Sequence, residues 1–349
     1  MLRIGIIASS TQTVEQPFAG GMEAHTVALA GSLRERGHEV TIHDASFAAR
    51  SGHAHLRLST AAEADVSMPA RDFIEEHHAY LALMTSLDGQ GYDVIHNNCL
   101  HYLPVAMAPA LRTPMVTTLH SPPTPWLESA IAVAGGAGGG WISVSRANAK
   151  AWASALRGCR VIPNGVSLDA WRFRRRPRSG GAVWSGRIVP EKGTHLAVEA
   201  ARIAGVPLTI AGPVSDDAYF ERCMAAAGPE VTYAGHLDSA ALATLVREAE
   251  VALVTPCWEE PFGLVAIEAL ACGTPVAAFA RGALPEILDE RTGTLARPDD
   301  VADLAHQIGR ARRLSRVACR RRAERRFSLR AMTDRYLDFY RTLVGRRPA

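Results

Sequence analysis

The stretch VALVTPCWEEPFGLVAIEALACGTPVAAF, Val251 to Phe279, decides the fold. VALVT and PVAAF are continuous apolar runs, the composition of strands buried on both faces of a sheet. Between them PFGLVAIEALAC predicts a helix from Pro261 to Cys272, with proline suited to its first turn. The alternation continues outward in both directions. Strands are expected at Leu2–Ala8, Glu39–His43, Asp93–His96, Met115–His120, Trp141–Val144 and Arg160–Ile162. A second set is expected at Ala182–Ser185, Pro207–Ala211, Val231–Ala234, Val251–Thr255 and Pro275–Phe279, with helices such as Met22–Arg36 and Ala240–Glu248 between strands. This pattern predicts an α/β protein with parallel sheets covered by helices on both faces. It occurs twice, and WRFRRRPRSGG, Trp171 to Gly181, has the charged, proline-containing composition of a linker between copies. GGAGGG, Gly135 to Gly140, reads as a loop inside the first copy. The cleft between two Rossmann-like domains is the expected ligand site.

The bulk numbers agree. The chain has 349 residues, 48% hydrophobic and 21% charged, suited to two soluble globular domains. No apolar run approaches the ~18 residues of a membrane span. MLRIGIIASS reads as a first strand, not a secretion signal. Six scattered cysteines without a C-x-x-C pair fit a reducing cytoplasm and argue against a zinc site or disulfide framework. His53, His55, His77 and His78 lack a third ligand at metal spacing, so no metal is expected. The net charge of +3 conceals a basic end: from Val301 onward there are fourteen Arg against four Asp and Glu. The run RARRLSRVACRRRAERRFSLR, Arg310 to Arg330, reads as a solvated helix or as a surface meeting an anionic membrane. Aromatics are not interleaved with the arginines, which disfavours nucleic acid. Neither G-x-G-x-x-G after the first strand nor G-x-x-x-x-G-K-[ST] is present, which weighs against hydride-transfer and P-loop enzymes.

Two acids, Glu260 and Glu268, flank the PFG turn. A helix opening at the carboxyl end of a parallel strand presents free amides, here expected from Phe262, Gly263 and Leu264, and favours phosphate. At ~1.5 Å rise per residue the acids stand ~10 Å apart. Carboxylates repel phosphate but accept paired hydrogen bonds from vicinal diols. A diphosphate on the amides would therefore place a ribose at one acid and a hexose at the other. SGRIVPEKG, Ser185 to Gly193, supplies Arg187 and Lys192 from one loop, two cations for the diphosphate without a metal. In the first copy, Gly20 and Gly21 open a helix where backbone can approach a ligand closely. TTLHSPP puts His120 at the carboxyl end of a strand facing the same cleft. VIPNGV, Val161 to Val166, reads mainly as a structural turn.

These segments, in order, resemble the retaining GT-B glycosyltransferases of family 4, group 1: GG after the first strand, TTLH, ISVS, VIPNGV, SGRIVPEKG, and TPCWEEPFGLVAIEALACGTPV with its E-x7-E spacing. The resemblance implies an acceptor domain over residues 1–165 and a donor domain over 166–330. It also implies that a last helix, within 331–349, packs back on the first domain; LRAMTDRYLDFYRTLV, Leu329 to Val344, has the apolar spacing to do so. It implies that Arg187 and Lys192 hold the diphosphate and Glu268 the ribose. Glu260 and the amides of residues 262–264 would hold the transferred sugar, with His120 approaching from the first domain. Residues 48–78 match no motif, so the acceptor is not legible.

The expected function is metal-independent, retaining transfer of a hexosyl unit from a nucleoside diphosphate sugar to a hydroxyl acceptor, with no cofactor. UDP-sugar is favoured over GDP-sugar. The acceptor classes are a glycan, a lipid-linked sugar or a small molecule. The expected location is the cytoplasm, with peripheral contact at the inner face of the membrane. The alternatives are a sugar-nucleotide epimerase or hydrolase on the same fold, and a catalytically silent sugar-nucleotide-binding module.

Overall fold

A computed structural model describes residues 1–9, 14–44, 71–135, 139–178 and 180–345. His53 and His55, most of the unmatched 48–78 stretch and part of GGAGGG lie outside the described residues. The described strands form two six-stranded parallel sheets. The first contains β1 (Arg3–Ile7), β2 (Glu39–His43), β3 (Val94–Asn97), β4 (Met115–Leu119), β5 (Gly139–Ser143) and β6 (Arg160–Val161), in the order 2-1-3-4-5-6. The second contains β7 (Ala182–Ser185), β8 (Leu208–Ala211), β9 (Val231–Tyr233), β10 (Val251–Val254), β11 (Val276–Phe279) and β12 (Gly293–Ala296), in the order 12-11-10-7-8-9. In the second sheet the order reverses between β7 and β10, so the crevice at their carboxyl ends is the natural ligand position.

The helices of the first half are α1 (Gly21–Glu35), α2 (Arg71–Ser86), α3 (Tyr102–Met107), α4 (Pro125–Ala134) and α5 (Arg146–Ala151). The second half carries α6 (Thr194–Ala204), α7 (Asp217–Ala225), α8 (Ser239–Glu248), α9 (Leu264–Cys272), α10 (Leu284–Ile287), α11 (Val301–Ala311), α12 (Arg316–Arg326) and α13 (Leu329–Val344).

Every strand expected from the sequence is present within one or two residues at its ends. β5 starts at Gly139, inside the expected glycine loop, and β12 has no counterpart in the sequence reading. The hairpin-free connections and β10–β11 pairing (Ala252 opposite Val276) follow from the strand–helix–strand unit that decided the fold.

Helix α13 belongs to the first core although it ends the chain. Ser328 caps it by accepting a hydrogen bond from the Ala331 amide at 3.3 Å. Met332, Tyr336, Leu337, Tyr340 and Leu343 recur at helical spacing and bury against Ile4, Leu29, Val94, Val116 and Ile142. Each such side chain stabilises by about 1.5–3 kcal/mol on area grounds. The chain crosses between halves twice side by side: the Val166 amide donates to Phe327 O and the Leu329 amide to Val166 O, both at 2.9 Å.

The two halves also meet directly across the cleft. Ser145 Oγ donates to Pro261 O at 2.7 Å. Glu286 of α10 accepts from the Arg146 and Ala147 amides at 3.1 and 2.5 Å, so a second-half acid neutralises the start of a first-half helix.

Candidate active site

A cleft of about 760 Å³ opens between the sheets and is lined by all ten residues singled out in the sequence. Its floor on the second-half side is the start of α9. The helix begins at Leu264, three residues later than expected. Gly263 caps it with φ +95°, a left-handed conformation that is not helical, so Pro261 stands outside the first turn. The proline serves instead through its carbonyl, which accepts the Ser145 hydroxyl. The Ala266 amide bonds to Gly263 O at 3.0 Å, while the amides of Leu264 and Val265 have no partner among the described residues. The Phe262 and Gly263 amides likewise have no partner among the described residues, so the open amides expected at 262–264 are present and Val265 adds one more. The Phe262 ring is buried in the core, edge-on to Phe327 with centroids 6.1 Å apart.

Glu268 lies one helical turn inside that mouth. Its carboxyl borders the cleft and makes no hydrogen bond among the described residues. Burial pushes it up to about 8. An unpaired acid in such surroundings is costly to ionise unless a ligand donates hydrogen bonds to it.

Lys192 and Glu260 form a pair that the sequence reading kept apart. Lys192 Nζ lies 2.6 Å from Glu260 Oε2, and Trp258 Nε1 donates to the same oxygen at 3.1 Å. The ammonium also sits 5.0 Å from the centre of the Trp258 ring. Both bonds fall on Oε2, which leaves Oε1 without a protein partner. Arg187 is exposed on the loop after β7 and makes no ion pair among the described residues. It is therefore the less compensated of the two cations at the cleft.

From the first half, Gly20 caps α1 without a side chain, and Gly21 faces α9. A Cβ at Gly21 would stand 2.8 Å from Leu264 Cδ1, so the bare backbone is what allows the two helix starts to approach. His120 follows β4. Its Nε2 bonds to Asn98 Oδ1 at 3.0 Å, and Asn98 Nδ2 donates to Thr26 Oγ1 at 3.3 Å. An amide oxygen only accepts, so Nε2 carries the proton and Nδ1 is the free lone pair. Burial, with His25 and His96 nearby, holds His120 well below the usual imidazole range, so it is neutral near pH 7.

The sequence reading missed several cleft residues. Glu23, only 6% exposed on the first turn of α1, lines the cleft. Its position three residues after Gly20 was the available signal. Asn164, read as part of a turn, is buried at the cleft with its Oδ1 unpartnered. His25 lies behind His120, ring centroids 5.0 Å apart, with both nitrogens buried and unpartnered. Helical phase from Gly21 could have placed it beneath the site.

Three of the ten arginines in the Arg310–Arg330 run bond inward. Arg316 is buried and donates to the carbonyls of Arg174, Ala249, Arg247 and Cys272 and to Thr274 Oγ1. Arg320 bonds three carbonyls, Leu168, Trp171 and Ala271. Arg322 bonds Ile287 O and Asp289. Arg310, Arg312, Arg313, Arg321, Arg325, Arg326 and Arg330 are exposed. His77, one of the histidines weighed as a ligand, bonds Tyr102 Oη at 3.2 Å. Among the described residues no three His, Cys, Asp or Glu are grouped to hold a metal. No described helix is long and apolar enough to cross a membrane.

Comparison with known proteins gives the same outline. Residues 19–170 match the model of Glycosyltransferase Family 4, and residues 175–326 match that of Glycosyl transferases group 1. The chain is similar to a glycogen synthase of Mycobacterium tuberculosis, 33% identical over 249 residues, covering 62% of this chain and 59% of the relative. It is also similar to a D-inositol 3-phosphate glycosyltransferase of Mycobacterium bovis, 35% identical over 213 residues, covering 53% and 44%. The matches thus span less than two thirds of either relative's length. Among solved structures, Anabaena HepE in complex with UDP and glucose shares the fold with a TM-score of 0.75, at 18% identity over 98% of this chain and 100% of that one. With its two parallel-sheet halves, a cleft between them and both family models matched in series, the chain belongs to the group 1, family 4 glycosyltransferases and has the GT-B fold.

Proposed function

We propose that the protein transfers a hexosyl unit from a nucleoside diphosphate sugar to a hydroxyl acceptor, with retention and without a metal. The observation that carries this reading is the arrangement around α9. Arg187, the amides of Leu264 and Val265 and the Glu268 carboxyl one turn further in all line one cleft and have no partner among the described residues. UDP is the favoured nucleotide; a fold relative holds UDP and glucose. The domain division at 165/166 belongs to the same reading, with the donor held by the second half.

Arg187, Lys192 and the amides of Leu264 and Val265 take up the negative charge that grows as the bond from sugar C1 to the diphosphate oxygen breaks. Glu268 accepts hydrogen bonds from the ribose diol. Glu260 Oε1 accepts from a hydroxyl of the transferred sugar while Oε2 holds Lys192 in place. His120, neutral, accepts a sugar hydroxyl at Nδ1. The acceptor oxygen attacks C1 from the side the diphosphate leaves, and its proton passes to the departing phosphate oxygen, giving a glycoside and UDP. Cytoplasmic residence and contact of Arg313, Arg321, Arg325 and Arg326 with an anionic membrane complete the reading; co-sedimentation with phosphatidylglycerol vesicles tests that contact.

The test is a thermal-shift screen of UDP-, GDP- and ADP-sugars, followed by the anomeric configuration of the product by NMR. A ligand binding only the native state raises the melting point. UDP-sugar stabilisation and a retained anomeric centre are expected. No stabilisation by any nucleotide sugar, or an inverted product, defeats the reading, and rapid donor conversion without acceptor would make the protein a hydrolase or epimerase.

A further inference from the structure

The first half carries a column of stacked rings that the donor site does not use. Tyr80 is 2% exposed and stacks on His101, with centroids 4.6 Å apart and planes 26° apart. His101 stacks on Tyr102 at 4.8 Å and 21°. Tyr102 stacks on Trp126 at 5.3 Å and 23°, and Trp126 is 61% exposed. Phe73, 38% exposed, leans on the same indole at 6.3 Å. The column is anchored from below: the Leu103 amide donates to His101 Nδ1 at 3.2 Å, and Tyr102 Oη pairs with His77 Nδ1 at 3.2 Å. Trp126 stands in the first turn of α4, which Thr124 caps through the Leu127 amide at 3.4 Å. A rigid column that runs from the core and ends in an open indole presents a flat apolar face at little further cost in conformational entropy.

Its place says what could lie on it. Leu100, His120 and Ser121 line the cleft. The chain passes from Leu100 directly into His101 and Tyr102, and from Ser121 through three prolines (Pro122, Pro123 and Pro125) to Trp126. Both segments leave the carboxyl ends of β3 and β4, the ends from which Leu100 and His120 reach the cleft, so the indole stands on the cleft side of the first half, outside the cleft lining itself. The helices bearing these rings, α2, α3 and α4, carry Glu75, Glu76 and Glu128 and, past Arg71, no lysine or arginine. Such a surface repels an anionic headgroup or a phosphate. A neutral pyranose suits it: one apolar C–H face for the indole, and hydroxyls at the ring edge for Tyr102 and His77.

We propose that Trp126, backed by the Tyr102–His101–Tyr80 column, is the platform of an acceptor subsite that takes the pyranose ring of a saccharide. This rests on the glycosyltransferase reading and specifies its acceptor class. The subsite orients the acceptor; Trp126 itself touches no reacting atom.

The experiment uses the full chain saturated with UDP and titrates methyl α-D-glucopyranoside, methyl α-D-mannopyranoside and maltotriose by calorimetry, for the wild type, Trp126→Ala and Trp126→Phe. At least one saccharide is expected to bind. Trp126→Ala should weaken it by ~10-fold or more and Trp126→Phe by no more than ~3-fold, the loss expected from removing or trimming one aromatic contact. UDP affinity should stay within ~2-fold in all three, which also shows that the variants are folded. Absence of saccharide binding to UDP-loaded wild type overturns the proposal, as does equal binding by Trp126→Ala. Loss in Trp126→Ala of binding to phosphatidylcholine vesicles, with saccharide affinity unchanged, would make the surface a lipid contact and overturn it as well. Failure of UDP to bind the wild type would instead strike the donor site and the reading beneath.

Discussion

Replacing Glu268 by Gln separates a ligand-binding acid from a structural one, because the two roles predict opposite signs. The carboxyl makes no hydrogen bond among the described residues, and burial raises it to about 8. A native value above the unfolded one means that the acid's contribution to stability is fully present below about 4.5 and is lost as pH rises through 8. At pH 7 the gap corresponds to a cost on the order of 3 kcal/mol, at ~1.4 kcal/mol per pH unit. Glutamine keeps the shape and has no charge to bury, so Glu268→Gln should melt at the same temperature as wild type or higher. It should nonetheless bind UDP poorly. A ribose diol donates two hydrogen bonds to a carboxylate, whereas the amide accepts one and opposes the other. At ~1.5 kcal/mol for a bond to a charged group, the loss is ~1.5–3 kcal/mol, or ~10- to 100-fold in Kd. Calorimetry with UDP and thermal denaturation at pH 7 read both quantities. Wild-type binding near pH 7 should also release protons, because diol bonds favour the ionised carboxylate; the apparent enthalpy should then depend on the buffer. A variant that loses stability while binding UDP normally would refute the reasoning.

Three further outcomes follow from the geometry. Lys192→Ala leaves Glu260 uncompensated beside the diphosphate, so it should weaken UDP binding at least ~10-fold, and Lys192→Ala/Glu260→Ala should recover part of that loss. Additive effects in this double-mutant cycle would mean the 2.6 Å pair does not couple. Burial lowers His25 to about 4, and His96 and His120 well below their ordinary value, so these native imidazoles stay neutral. Their stability contribution is present above about 6.5 and falls as pH drops toward 4, by about 2 kcal/mol at pH 5 for His25 alone. Urea denaturation at pH 7 and 5 reads it, and equal midpoints would contradict it. Gly21→Val places carbon against Leu264, and should cut kcat/KM for transfer ~10-fold with little change in melting temperature. Leu264→Ala in the same chain should restore part of the activity, and no restoration would mean that the helix approach is not what the glycine serves.

The sequence showed the parts of this molecule that rest on local pattern. Continuous apolar runs gave the strands of both sheets, because parallel strands are buried on both faces. β12 escaped because GTLA, with three polar or small residues in four, lacks such a run. The cleft residues were legible as residues, since glycines, acids and cations after strand ends mark ligand loops. Their partnerships were not. Lys192 and Glu260 are 68 positions apart, and nothing local foretells that the ammonium bonds Glu260 Oε2. The start of α9 was misjudged because proline at a first helical turn and proline ahead of a left-handed glycine look alike in one dimension. Within the arginine run the division between inward and outward side chains was not legible for a related reason. Arg316 and Arg320 spend their donors on carbonyls around the ends of α8 and α9, and only the fold reveals which guanidinium groups face inward.

The most direct test is a crystal structure with UDP bound. The account predicts phosphate oxygens within ~3 Å of the Leu264 and Val265 amides, the Arg187 guanidinium against the same group, and the ribose hydroxyls on Glu268. A nucleotide seated elsewhere, with those two amides still lacking a partner, would contradict it.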